Sequence, residues 1–175
     1  MSHEKSFQHD LWELIKDIKF GMLTHKHADG SLHSHPLTTQ NRSLKSGDPL
    51  YFFVSKKTEV GDRLRSDGNV CISYGDLKED IWVSVSGRAS ISEDMDTKKK
   101  LFNALAKAWF PGGVEDPDLE LVQVEIRHAE FWNVKESKAT QMLKMATAAV
   151  TGHPPEMGEH REISVTAGEP AEHHE

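Results

Sequence analysis

Cysteine is nearly absent from this chain: its 175 residues include one, Cys71. A lone thiol excludes an intrachain disulfide framework and suits a reducing, cytoplasmic compartment. Set in the run Val70-Cys71-Ile72, it reads as a small buried hydrophobe. Long hydrophobic stretches are lacking too. Nothing approaches the ~20 apolar residues of a membrane span, and the start, Met1-Ser2-His3-Glu4-Lys5, has no apolar signal segment. Basic residues are in deficit, 21 against 28 acidic, for a formal charge of −7, which argues against a nucleic-acid or anionic-membrane surface. Catalytic signatures are missing as well. There is no Gly-x-Ser-x-Gly, His-Glu-x-x-His, phosphate loop or Gly-x-Gly-x-x-Gly, and the carboxylates show no pairing in sequence. Any redox chemistry would belong to a cofactor, with the protein supplying position and charge.

What is present is strand pattern. Extended character marks residues 20–27, 32–40, 50–54, 70–74, 81–91 and 119–134, the first pair joined by the turn signal Ala28-Asp29-Gly30-Ser31. Helical periodicity predicts a first helix from Asp10, where Asp10 and Glu13 make a capping box, to about Asp17. A short helix over 58–65, one from the Ser92-Glu93-Asp94 cap through Trp109, and one over 137–150 follow. The last is expected to bury Met142, Leu143, Met145 and Ala146. Beyond Thr151 the composition turns to Gly, Pro and Glu, which predicts a mobile acidic tail over 151–175. Residues 1–150 thus read as a single mainly β domain with α additions, a six-stranded antiparallel barrel with helices at its periphery. So small a barrel encloses no large cavity. A ligand would lie on its outer wall or between two copies.

His25, His27, His33 and His35 cluster around the first turn. A two-residue Asp29-Gly30 loop would send the two pairs to opposite faces, whereas a three-residue Ala28-Asp29-Gly30 loop would put all four on one. Only the second arrangement could build a metal site, and no carboxylate or thiol falls among them in sequence. Solvated or weakly structural histidines are the default for His25 and His27, and no metal ligand set is assigned.

The stretch Ala108-Trp109-Phe110-Pro111-Gly112-Gly113 closes the third helix. Pro-Gly-Gly stops the helix at a fixed point and holds two costly aromatics at its end, either to plug the core or to meet a partner. Lys107 to Gly113, with Asp116-Pro117-Asp118-Leu119 after it, resembles the general stress protein 26 group of the pyridoxamine 5′-phosphate oxidase-like, FMN-binding split-barrel proteins. That resemblance implies a homodimeric split barrel with FMN at the dimer interface and Trp109 of one subunit near the other's flavin. It also implies a flavin-dependent oxidoreductase serving a small electron donor or acceptor, rather than a committed pyridoxamine phosphate oxidase.

In such proteins the second strand carries Arg-x-Arg-Pro and then Gln. Here it reads His33-Ser34-His35-Pro36-Leu37-Thr38-Thr39-Gln40, so His33, His35, Leu37, Thr38 and Gln40 become the implied cofactor contacts. Phe53, Val54 and Ser55 match the next flavin-contacting strand end. The usual phosphate-binding basic position falls on Glu59 or Val60, leaving Lys56, Lys57 and Thr58 to meet the phosphate. The alternative is a non-catalytic protein that sequesters flavin or haem, the latter with an axial ligand from His153, His160, His173 or His174.

Overall fold

The alternating strands curl into one antiparallel sheet in the computed structural model, which describes residues 2–133 and 138–164. The elements run α1 (Ser2–Ile15), β1 (Phe20–Lys26), β2 (Leu32–Thr38), β3 (Leu50–Ser55), α2 (Val60–Ser66), β4 (Asn69–Asp76) and β5 (Ile81–Ser92). Then come α3 (Met95–Leu101), α4 (Ala104–Trp109), β6 (Leu119–Asn133), α5 (Lys138–Thr151) and β7 (Glu159–Ser164). The strand order is β2-β1-β4-β5-β6-β3, and a bridge between Thr39 and Phe52 brings the two outer strands together. The six expected strands all form.

Alternation explains the curl. Inward residues of β1, β4 and β5, among them Leu23, Ile72 and Val85, are fully buried, while their neighbours face out. β5 and β6 shift register between Ser86 and Gly87, where one extra residue on β6, Arg127, sharpens the bend. Leu11 and Ile15 of α1 close one end of this interior. A second buried cluster (Phe53, Leu101, Ala106, Phe110, Leu119, Leu121) packs α3 and α4 against β3 and β6.

Four local expectations are revised. α1 begins at Ser2, so Asp10 is helix interior rather than cap, and its carboxylate pairs with Arg161 at 2.7 Å. The predicted 92–109 helix is two: Phe102 is extended and Asn103 starts α4 afresh, accepting from the Ala106 amide. The stripe on α5 is not buried, since Met142 and Leu143 are 72% and 69% exposed. Periodicity says which face is apolar, not what covers it. Part of the segment read as a mobile tail is strand, with β7 pairing β6 from His128 to Asn133. Residues 165–175 lie outside the described residues.

Candidate functional site

Where the two buried clusters meet, the outer wall opens into a cavity of about 310 Å³. β2 supplies one wall, the end of β3 and the turn after it a second, and α4 the third. His35, Leu37, Thr38 and Gln40 line it from the β2 side, Phe53, Val54, Ser55 and Thr58 from the β3 side, and Trp109 from α4. These are nine of the residues nominated from sequence. His33, Lys56 and Lys57 lie off its wall. Phe20, Pro36, Val60, Leu105, Ala106 and Phe110 complete the lining and were not nominated. An aromatic opening the predicted 20–27 strand was the sequence signal available for Phe20.

Local sequence explains the shape. Pro111-Gly112-Gly113 ends α4, and the Asp116 carboxylate accepts from the Gly112 and Asp118 amides, fixing the turn into β6. Those same N–H groups hold the Asp116 carboxyl below its usual value. Phe110 then points inward at 7% exposure, while Trp109 stands out at 78%. Across the cavity, the Ser55–Thr58 turn is closed by the Thr58 hydroxyl donating to the Ser55 carbonyl and by the Lys57 amide donating to Ser55 Oγ. Lys57 reaches Asp118 Oδ2 at 2.9 Å, and this bond raises its amine above the ordinary value. Lys56 stays exposed beside it.

The hairpin takes the three-residue loop. His25 faces His33 and Leu23 faces His35, so all four histidines share one face of the sheet. Their rings pack in parallel pairs, His25 on His35 at 5.1 Å and His27 on His33 at 4.3 Å between centroids. The carboxylate missing from the local sequence arrives from Glu59, just before α2. It accepts from His33 Nδ1 at 2.9 Å and approaches His27 Nε2 at 3.1 Å and His35 Nε2 at 3.7 Å. The bond from His33 holds the Glu59 carboxyl below its usual range.

His25 is not solvated, which leaves only the structural half of the expectation for it. It is 1% exposed, and neither ring nitrogen makes a hydrogen bond of good geometry. An unsatisfied buried polar group costs about 1–3 kcal/mol. Burial pushes its pKa down, more than the Lys26 backbone and Glu59 push it up.

Of the histidines nominated as haem ligands, His160 stacks on Trp132 at 5.1 Å and bonds Glu130 at 2.6 Å, so it is already engaged. His153 contacts the Thr151 carbonyl. His173 and His174 lie outside the described residues. Cys71 is half-buried with Sγ 3.4 Å from Ser84 Oγ, a small side chain packed between strands.

The model of the family described as pyridoxamine 5′-phosphate oxidase like matches residues 7–156. The chain belongs to that family, in its general stress protein 26 group. Protein bli-3 of Neurospora crassa is 28% identical over 163 residues, 89% of this chain and 78% of that protein. General stress protein 26 of Bacillus subtilis is 28% identical over 110 residues, 61% of this chain and 75% of that one. Among solved structures, a Jannaschia sp. CCS1 protein assigned as general stress protein 26 superposes with a TM-score of 0.68 at 23% identity, covering 94% of this chain and 98% of that one. It establishes the curled half-barrel of the oxidase-like split-barrel fold. The general stress FMN/FAD binding protein of Xanthomonas citri has a TM-score of 0.65 at 30% identity, covering 77% of this chain and 92% of that one. No helix among the described residues of this oxidase-like chain is long and apolar enough to cross a membrane.

Proposed function

We propose that this chain is an FMN-binding flavoprotein of the general stress protein 26 type, with the flavin held in the cavity beside Ser55 at the interface of a homodimer. The observation that carries this reading is convergence: nine residues nominated for flavin contact, scattered over 75 positions from His35 to Trp109 (109 − 35 + 1), line one cavity. Its volume is in the range of small-molecule sites, and its walls are mostly apolar with a few hydroxyls and one amide, which suits a planar ring with a polar tail. Leu37, Phe53 and Trp109 offer surfaces for the ring. The Ser55–Thr58 turn and Lys56 offer donors to the phosphate. The flavin-binding relative from Xanthomonas citri supports the choice of cofactor.

Exposure supports the dimer. Phe20, Leu105 and Trp109 are 50%, 46% and 78% exposed and gather at the mouth of the cavity. A tryptophan so placed loses water contact only if something covers it, and a second copy both covers it and completes the crevice.

His35 is the one titratable side chain in the cavity wall among the described residues. Acid–base catalysis therefore has little to work with, and electron transfer to or from a small donor or acceptor would be the flavin's own chemistry. The same sparseness favours a second reading, a protein that sequesters flavin without turning it over. The absorbance spectrum of protein purified without added cofactor tests binding: flavin bands, or their appearance on adding FMN, are expected, and protein that refuses FMN sinks the proposal. Rapid reduction of the bound flavin by a reduced nicotinamide selects the enzyme over the sequestering protein.

A further inference from the structure

The four histidines of the β1–β2 hairpin and Glu59 form a second constellation that flavin binding does not use up. We infer that His25, His35 and Glu59 bind a divalent first-row transition metal, zinc being the archetype, with His27 and His33 holding the carboxylate in place. This goes beyond the flavin reading and does not depend on it.

The donor set points to a metal by elimination among the ways a buried imidazole can be satisfied. His25 is 1% exposed with no hydrogen bond of good geometry at either ring nitrogen, and the buried Nε2 of His35 likewise makes none. Protonation would not help. It would place cations in rings stacked 5.1 Å apart, with another imidazole, His33, 6.1 Å from His25 and a single carboxylate to serve them all. Neutral imidazoles gathered about one carboxylate are the metal-binding form.

The spacing is within reach. One ligand atom from each of His25, His35 and Glu59 lies within 4.8 Å of the others. Ligands at ~2.0–2.1 Å from a tetrahedral zinc stand about 3.3 Å apart, so no pair has to close by more than roughly 1.5 Å, and His35 Nε2 is already 3.7 Å from a Glu59 oxygen. Glu59 precedes α2 on a half-exposed side chain and can supply that movement.

The outer pair has a different task. His33 Nδ1 at 2.9 Å and His27 Nε2 at 3.1 Å grip the two Glu59 oxygens, and His27 is itself steadied by Asp29 at 3.1 Å. Such outer hydrogen bonds orient a ligating carboxylate. His27, His33 and Glu59 also lie within that spacing, but their ring nitrogens already have partners of good geometry, which singles out the inner set.

The chemistry of the donors sets the class of metal. Two imidazoles and a carboxylate suit Zn²⁺, Co²⁺, Ni²⁺, Cu²⁺ or Fe²⁺, whereas Mg²⁺ and Ca²⁺ prefer all-oxygen shells. Three protein ligands leave a coordination position open for water or an anionic oxygen. His35 also lines the flavin cavity, so the bound cation would lie beside it and add positive charge there.

The test is calorimetric titration of Zn²⁺ into the chelator-treated full chain, without flavin, for wild type, Glu59→Gln, His35→Ala and His160→Ala. Saturation near one Zn²⁺ per chain is expected, with affinity falling roughly tenfold or more in the first two variants and unchanged in the third. Co²⁺ should add a visible ligand-field band that Glu59→Gln alters. Thermal melting checks folding, and Glu59→Gln, nearly isosteric, keeps the test valid if His35→Ala unfolds. No binding, or binding that Glu59→Gln leaves intact, overturns the inference. Because no flavin is present, failure of the flavin proposal would not produce either result.

Discussion

Gln40 Oε1 accepts a hydrogen bond of 3.0 Å from Asn103 Nδ2, across 63 residues of sequence. The bond ties the segment just after β2 to the N-cap of α4, so two walls of the cavity are fastened to each other. Asn103 also caps α4, its Oδ1 accepting from the Ala106 amide at 2.9 Å. The two roles can be separated. Asn103→Ala loses both and should cost about 1 kcal/mol, a fall in Tm of roughly 2–4 °C. Asn103→Asp keeps the cap but cannot donate to Gln40, so it should melt near wild type while binding FMN more weakly. Equal FMN affinity in Asn103→Asp and wild type would show that the tie is irrelevant to the cavity.

Trp109 and Phe110 are adjacent in sequence and opposite in fate, 78% and 7% exposed. Trp109→Ala should leave the stability of an isolated subunit within about 0.5 kcal/mol of wild type, as surface changes do. It should, however, weaken both self-association and flavin binding. Phe110→Ala opens the cluster between α4 and β3 and should cost about 3–5 kcal/mol. Urea unfolding and sedimentation on the two variants decide the matter. A Trp109→Ala protein that dimerises normally would remove the tryptophan from the interface.

Tyr74 is 2% exposed, and burial pushes its phenol up to about 12, its bond of 2.6 Å with Thr39 opposing only in part. The folded value is raised above the ordinary 10.0, so the unfolded chain gives up this proton first. Stability contributed by the neutral phenol is complete below pH 10.0 and is lost as pH rises toward 12. Tyr74→Phe should cost about 1 kcal/mol at neutral pH through the lost hydrogen bond, yet show a flatter alkaline decline. Denaturant unfolding at neutral and strongly alkaline pH measures both. Parallel declines in the two proteins would contradict the assignment.

Gly61 sits in α2 against an ion pair whose carboxylate is buried and whose guanidinium is half-exposed. A methyl group there would run into the Glu120 carboxylate, which is 3% exposed and bonded to Arg65. Gly61→Ala would gain in helix propensity but should still destabilise by about 1–3 kcal/mol, because the pair cannot retreat into the packed wall. A variant as stable as wild type would mean that Glu120 has room to turn away.

Much of this molecule can be read from its residues. Strand pattern located all six barrel strands, through alternation in 81–91 and apolar runs such as Leu50-Tyr51-Phe52-Phe53-Val54, and Asp29-Gly30 marked the first hairpin turn, with Gly30 at φ 87°. The cavity was legible through the motif around Trp109 and the Pro36-to-Gln40 stretch. What escaped was long-range. Glu59 is 24 residues from His35, and only the placement of α2 brings it to the hairpin. The fate of His25 hung on whether the loop held two residues or three, a choice the turn residues alone left open. β7 was hidden by a polar, Gly- and Pro-rich surrounding, and its strand state depends on pairing with β6 rather than on its own hydrophobic pattern.

Titrating FMN into flavin-free protein, with flavin fluorescence and sedimentation read in parallel, tests the central claim most directly. One FMN per chain, held only while two copies stay together and released as dilution separates them, is the predicted result. Undiminished binding by a single copy, or no binding at any concentration of protein, would contradict it.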